Sequence, residues 1–134
     1  MRSRRRFILA LLLGIGGIAE PSSAQESDLR FASPTRFMPQ GGEALYADLC
    51  AGCHMAGGQG ATGAGTYPAL ANNPKLASAG YPISLVINGH KGMPPFGSQL
   101  SNQQVAAVVN FVRTHFGNDY RDEATASDAA AARR

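Results

Sequence analysis

The chain has 134 residues, 44% hydrophobic and 16% charged, with two Cys and no Trp. That length suits one domain with tails, and the composition excludes collagen-like, coiled-coil and multi-bridge disulfide classes. The formal charge of +3 invites a nucleic-acid partner, but the placement of the charges argues against one.

Arg2, Arg4, Arg5 and Arg6 precede an apolar run from Phe7 to Ala19. Its 13 residues are too few to span a hydrocarbon layer of about 30 Å comfortably. Ser22-Ser23-Ala24 then supplies small residues for cleavage. A basic head, a short apolar middle and a small-residue exit predict a secretory signal peptide over residues 1–24. An uncleaved anchor is the competing reading, and Gly14, Gly16 and Gly17 weaken it as a helix. The remaining chain is expected in the periplasm, with no stable membrane span after cleavage. Losing residues 1–24 removes four of the twelve cations and one of the nine anions, so the mature chain is formally neutral. A nucleic-acid partner therefore loses its main support. Ser3-Arg4-Arg5-Arg6-Phe7-Ile8 also resembles a twin-arginine export signal. An ordinary basic head is the alternative, and the chemistry below favours it.

Residues 25–39 carry Phe31, Phe37 and Met38 without periodicity and are expected as an extended leader. Gly41-Gly42 opens a helical pattern of two to three turns carrying Ala44, Leu45, Tyr46, Leu49 and Cys50. Residues 57–66 are Gly-rich loop, and no Lys-Ser/Thr or strand accompanies them, which excludes a phosphate-binding loop. Pro68 and Pro74 mark turns, with room for one short helix before Tyr81. Pro82 to Asn88 is predicted as a helix ended by Gly89. Ser101-Asn102-Gln103-Gln104 is a capping box. Val105, Val108, Val109, Val112 and Phe116 then form one stripe, predicting a helix of about 16 residues stopped by Gly117. Residues 119–134 are expected as a polar, Ala-rich, frayed tail. No segment alternates as a strand. The folded part, residues 40–118, is thus all-α: short helices and Gly/Pro loops. So small a chain buries little surface, and a large apolar cofactor at its centre would supply the missing core.

Cys50-Ala51-Gly52-Cys53-His54 supplies the attachment for one. A C-x-x-C-H run is the signature of covalently attached c-type haem. Cys50 and Cys53 lie on one side of a helical turn and can add to the two vinyl groups of one porphyrin. His54 then faces the iron as an axial ligand. A thioredoxin-like thiol pair lacks its strand here, a zinc site lacks its four ligands, and a plain disulfide leaves His54 unexplained. Candidates for the second axial position are Met38, Met55, His90, Lys91, Met93 and His115. Met55 adjoins His54 and cannot cross the ring. His115 falls near the end of the long helix, on its surface. Met93 sits in Gly92-Met93-Pro94-Pro95-Phe96, where two prolines stiffen the loop, and it is preferred, with His90 as runner-up. A lone Met is otherwise core filling.

From about residue 40 to 118 the chain resembles a mono-haem class I cytochrome c. Gly42, Tyr46 and Cys50 match that family's Gly–aromatic–Cys step, and Phe111 matches the aromatic of its C-terminal helix. The resemblance implies that these two helices cross closely at the Gly. It also implies that Pro68, in Pro68-Ala69-Leu70, offers its carbonyl to the ring N–H of the proximal His54. Within the family the chain is most similar to cytochrome modules that serve periplasmic dehydrogenases. Residues 67–73, 93–97 and 111–118 carry that likeness. Many such subunits hold three haem motifs, whereas this chain has one, and Met55 stands where Gly is frequent.

The implied function is one-electron transfer, with a periplasmic dehydrogenase as donor and a terminal oxidase or another cytochrome as acceptor. With both axial positions filled, no substrate binds the iron, so an enzyme is not expected. A haem enzyme or gas sensor with an open distal site is the alternative, and a thiol-disulfide exchanger is a third. Lys75 and Lys91 are among the few cations after residue 36, so no lysine ring steers docking. Apolar contact around Gly, Ala and Pro groups, with weak salt dependence, is expected instead.

Overall fold

The structure is a computed structural model and describes residues 41–133. The signal peptide, the leader and Met38 lie outside the described residues. Helix α1 (Gly42–Leu45) runs into a π-helical turn (Tyr46–Cys50) and then into α2 (Ala51–His54). The sequence pattern gave two to three turns with no sign of the π turn. Its hallmark is the Ala51 amide donating to Tyr46 O, five residues back, where the Cys–His run begins.

A small hairpin follows, β1 (Ala61–Thr62) antiparallel to β2 (Thr66–Tyr67), pairing Ala61 with Tyr67 and Thr62 with Thr66. It corrects the expectation of no strands. Strands of two residues are too short to carry an alternating pattern. The hairpin folds tightly back at Gly60, where a Cβ would stand 2.4 Å from Tyr67 O.

A 3₁₀ turn (Pro74–Ala77), α3 (Gly80–Asn88) and α4 (Asn102–Thr114) complete the predicted helices. α3 starts two residues before Pro82 and ends at Gly89, whose φ of +72° suits glycine. α4 carries the expected capping box. Ser101 Oγ accepts from the Gln104 amide at 3.2 Å, and Gln104 Oε1 accepts from the Ser101 amide at 2.9 Å. It has 13 residues, shorter than its sequence pattern suggested. Phe116 lies beyond its end at φ +58°, and its ring turns back to stand 4.8 Å from the Tyr46 ring.

The core forms where α1 crosses α4, with α3 beside it. Leu45, Ile83, Val105 and Val109 are at most 1% exposed. Gly42 makes the crossing possible: a Cβ there would stand 2.2 Å from Ala107 O and 2.8 Å from Phe111 Cβ. Tyr46 is buried beside it, and its hydroxyl donates to Met55 O at 2.6 Å.

Residues 119–134 were expected to fray. Instead α5 (Ala126–Ala131) packs on α4, with Ala129 wholly buried. Thr125 and Asp128 form a second capping box, and the small methyl of Ala129 allows close approach to α4.

Candidate functional site: an apolar cavity at the Cys–His run

The C-x-x-C-H run sits on the π turn and α2, and its side chains divide. Cys50 and His54 line a cavity of about 840 Å³, mouth included, while Cys53 is exposed. Val108, Val109 and Val112 of α4 wall the cavity, with Leu85 and Val86 of α3 and Leu76 of the 3₁₀ turn. Pro68, Leu70 and Met93 complete much of the lining. Neither cysteine is in a disulfide. Burial, then the neighbouring Cys53, pushes the Cys50 thiol up to about 11. Such a thiol stays protonated at neutral pH, unlike the activated thiolate of an exchange enzyme.

His54 is buried, and its Nδ1 lies 2.9 Å from Pro68 O. A carbonyl only accepts, so Nδ1 carries the proton and donates, which in the neutral imidazole leaves Nε2 bare to coordinate. The loop bearing Pro68 is held in turn. Leu70 and Ala71 amides donate to Gly58 O at 2.7 and 2.9 Å. Asn118 is buried; its Nδ2 donates to Leu70 O and its Oδ1 accepts from the Asn73 amide, both at 2.8 Å. Asn118 thus ties the end of α4 to the histidine's support.

Met93 is half-buried and lines the cavity. It closes a tight turn in which the His90 amide donates to Met93 O at 3.0 Å and the Met93 amide to His90 O at 2.9 Å. The far side of its loop is anchored on α3, where Phe96 and Gly97 amides donate to Val86 O and Ile87 O at 2.9 and 3.1 Å. These bonds satisfy carbonyls that the helix end leaves open. Of the other ligand candidates, His90, Lys91 and His115 are exposed and Met55 is half-buried; none of the four lines the cavity. His115 stacks on Phe111 with ring centroids 4.1 Å apart. The cavity therefore gathers one thiol, one imidazole nitrogen free to coordinate and one thioether among apolar walls. That donor set fits an iron porphyrin.

Arg113 entered the sequence analysis only within the segment of likeness at 111–118, with no role of its own. The residue is 0% exposed. Its Nε donates to Leu76 O and Nη2 to Ala77 O, each at 2.9 Å. Nη2 also meets the Asp122 carboxylate at 2.7 Å, and Nη1 donates to Asp122 O. The signal was present in its spacing: Ala106, Val109 and Arg113 fall at i, i+3 and i+7 on the buried side of α4.

Residues 38–112, more than half of the chain, match the family described as cytochrome C oxidase, cbb3-type, subunit III. The chain belongs to this cytochrome c family. It is 36% identical to cytochrome c6 of Alaria esculenta over 75 residues, 54% of this chain and 86% of that protein. It is 36% identical over 109 residues to the gluconate 2-dehydrogenase cytochrome c subunit of Pantoea cypripedii, 71% of this chain and 24% of the relative. It is 38% identical over 101 residues to the cytochrome c subunit of a quinone alcohol dehydrogenase from Komagataeibacter europaeus, 65% of this chain and 21% of the relative. The cytochrome thus spans under a quarter of the length of these dehydrogenase subunits. Its helical architecture agrees with the class I cytochrome c fold, and membership of the family implies a c-type haem. Among the described residues, no helix is long and apolar enough to cross a membrane.

Proposed function

We propose that this cytochrome is a periplasmic one-electron carrier holding one haem c. Cys50 and Cys53 would hold the haem through thioethers, and His54 and Met93 would be the axial ligands. When bound, the haem supplies a ferric–ferrous couple. The observation that carries this function is the meeting of His54 and Met93, 39 positions apart in the sequence, in one apolar cavity.

The chain's own residues do the rest. Pro68 fixes the tautomer and orientation of His54, and Asn118 holds the loop that carries Pro68. The valines of α4 keep water from the cavity wall. The turn from His90 and the anchor on α3 hold the Met93 loop at both ends. A rigid frame of this kind keeps the site's geometry alike in both oxidation states, which speeds electron transfer.

The relatives' names support a dehydrogenase as partner; we take it as the electron donor, and a terminal oxidase or another cytochrome as the acceptor. Among the cavity-lining residues, Pro68, Lys75 and Tyr81 are exposed, with Tyr81 44% accessible. A mouth with so little charge suits docking by apolar contact.

Met93→Ala in the haem-loaded protein tests the assignment. The ferric wild type is expected to display a near-infrared sulfur-to-iron band, and its ferrous form to resist carbon monoxide. The variant loses the band and binds carbon monoxide rapidly. A wild type without the band that takes up carbon monoxide at once would select a haem enzyme or gas sensor instead.

A further inference from the structure

We infer that Arg133 is a positioning residue for Met93: through α5 it clasps the loop that carries the sixth ligand. This assignment rests on Met93 as the axial ligand.

Met93-Pro94-Pro95-Phe96-Gly97 includes two residues that cannot donate a backbone hydrogen bond. Its amides at Phe96 and Gly97 are spent on α3, while the carbonyls of Gly97 and Leu100 point to another partner. Arg133 is that partner. Its Nη1 donates to Gly97 O, its Nη2 to Leu100 O at 2.6 Å, and its Nε to Asn102 Oδ1. One planar guanidinium thereby joins the downstream end of the Met93 loop to the first residue of α4. The rigid fork suits three fixed acceptors better than a flexible ammonium would.

Arg133 is placed by α5. The wholly buried Ala129 packs that helix on α4, and the Thr125–Asp128 box starts it. A polar tail of small residues, unremarkable in sequence, thus delivers a guanidinium to the ligand loop. Without Arg133 the loop keeps its backbone anchor on α3. What is lost is restraint on the loop, and with it the bias toward Met-on over Met-off.

Imidazole titration of the ferric, haem-loaded protein tests this, because exogenous imidazole binds only where Met93 has left the iron. With Arg133→Ala the apparent affinity is expected to rise about tenfold, as the Met-off population grows. Arg133→Lys is expected to fall between the two. Arg121→Ala, which breaks a pair whose two side chains are both exposed, leaves the affinity unchanged. If Arg133→Ala loads too little haem to titrate, Arg133→Lys and wild type carry the same comparison. Wild-type imidazole affinity in both Arg133 variants, with the sulfur-to-iron band intact in wild type, overturns the clasp alone. Absence of that band in wild type overturns the ligand assignment beneath it.

Discussion

Gly42→Ala is expected to destabilise the haem-loaded protein by about 2–3 kcal/mol, lowering Tm by roughly 10–20 °C. Two effects oppose each other there. Helix propensity alone favours alanine over glycine by about 1 kcal/mol. The added methyl, however, would stand 2.2 Å from the Ala107 carbonyl oxygen and 2.8 Å from Phe111 Cβ. Backbone cannot rotate away as a flexible side chain can, so α1 and α4 must separate. Leu45, Tyr46, Val105 and Val109 share that seam, and each loses contact when it opens. Steric cost therefore exceeds propensity. Thermal unfolding followed by circular dichroism decides the sign, and a Tm a few degrees above wild type would show that the helices do not depend on this close approach.

Arg113→Met is the second large effect, about 3 kcal/mol of lost stability. Methionine fills similar space but donates nothing. The carbonyls of Leu76 and Ala77 lose their guanidinium donors, and Leu76 is only 2% exposed. The Asp122 side chain is 73% exposed and rehydrates, which keeps the cost toward the lower end for a broken buried pair. Because Leu76 lines the cavity, the loss loosens a wall of the haem site as well. The hydrogen bond from Arg113 holds the Asp122 carboxyl below its ordinary range. Its contribution is therefore full above the unfolded carboxylate value, about 3.9, and is lost as pH falls through the lower folded value. Urea unfolding at neutral pH measures the main effect. A midpoint within error of wild type would mean that the guanidinium network adds nothing net.

Legibility in the sequence followed burial pattern and local chemistry. The valine stripe and Ser101–Gln104 box announced α4, and Pro82 and Gly89 bracketed most of α3. The Cys–His spacing announced the site. Other features left no local trace. The π turn at Tyr46–Cys50 is encoded by no residue type. The β1–β2 hairpin is too short for periodicity. α5 is held by the smallness of Ala129 against a partner far away in sequence. Asn118 and Arg113, both present only within a segment of likeness, act through backbone carbonyls of Leu70, Leu76 and Ala77. Those contacts emerge only once the chain has folded.

The proposed carrier requires one haem bonded to Cys50 and Cys53 with His54 at its iron. Intact mass spectrometry of the denatured mature protein, made in a host able to attach haem, tests it most directly. A single adduct of one haem is expected, surviving denaturation and vanishing in a Cys50→Ser, Cys53→Ser double variant. A wild-type mass equal to the bare polypeptide would contradict it.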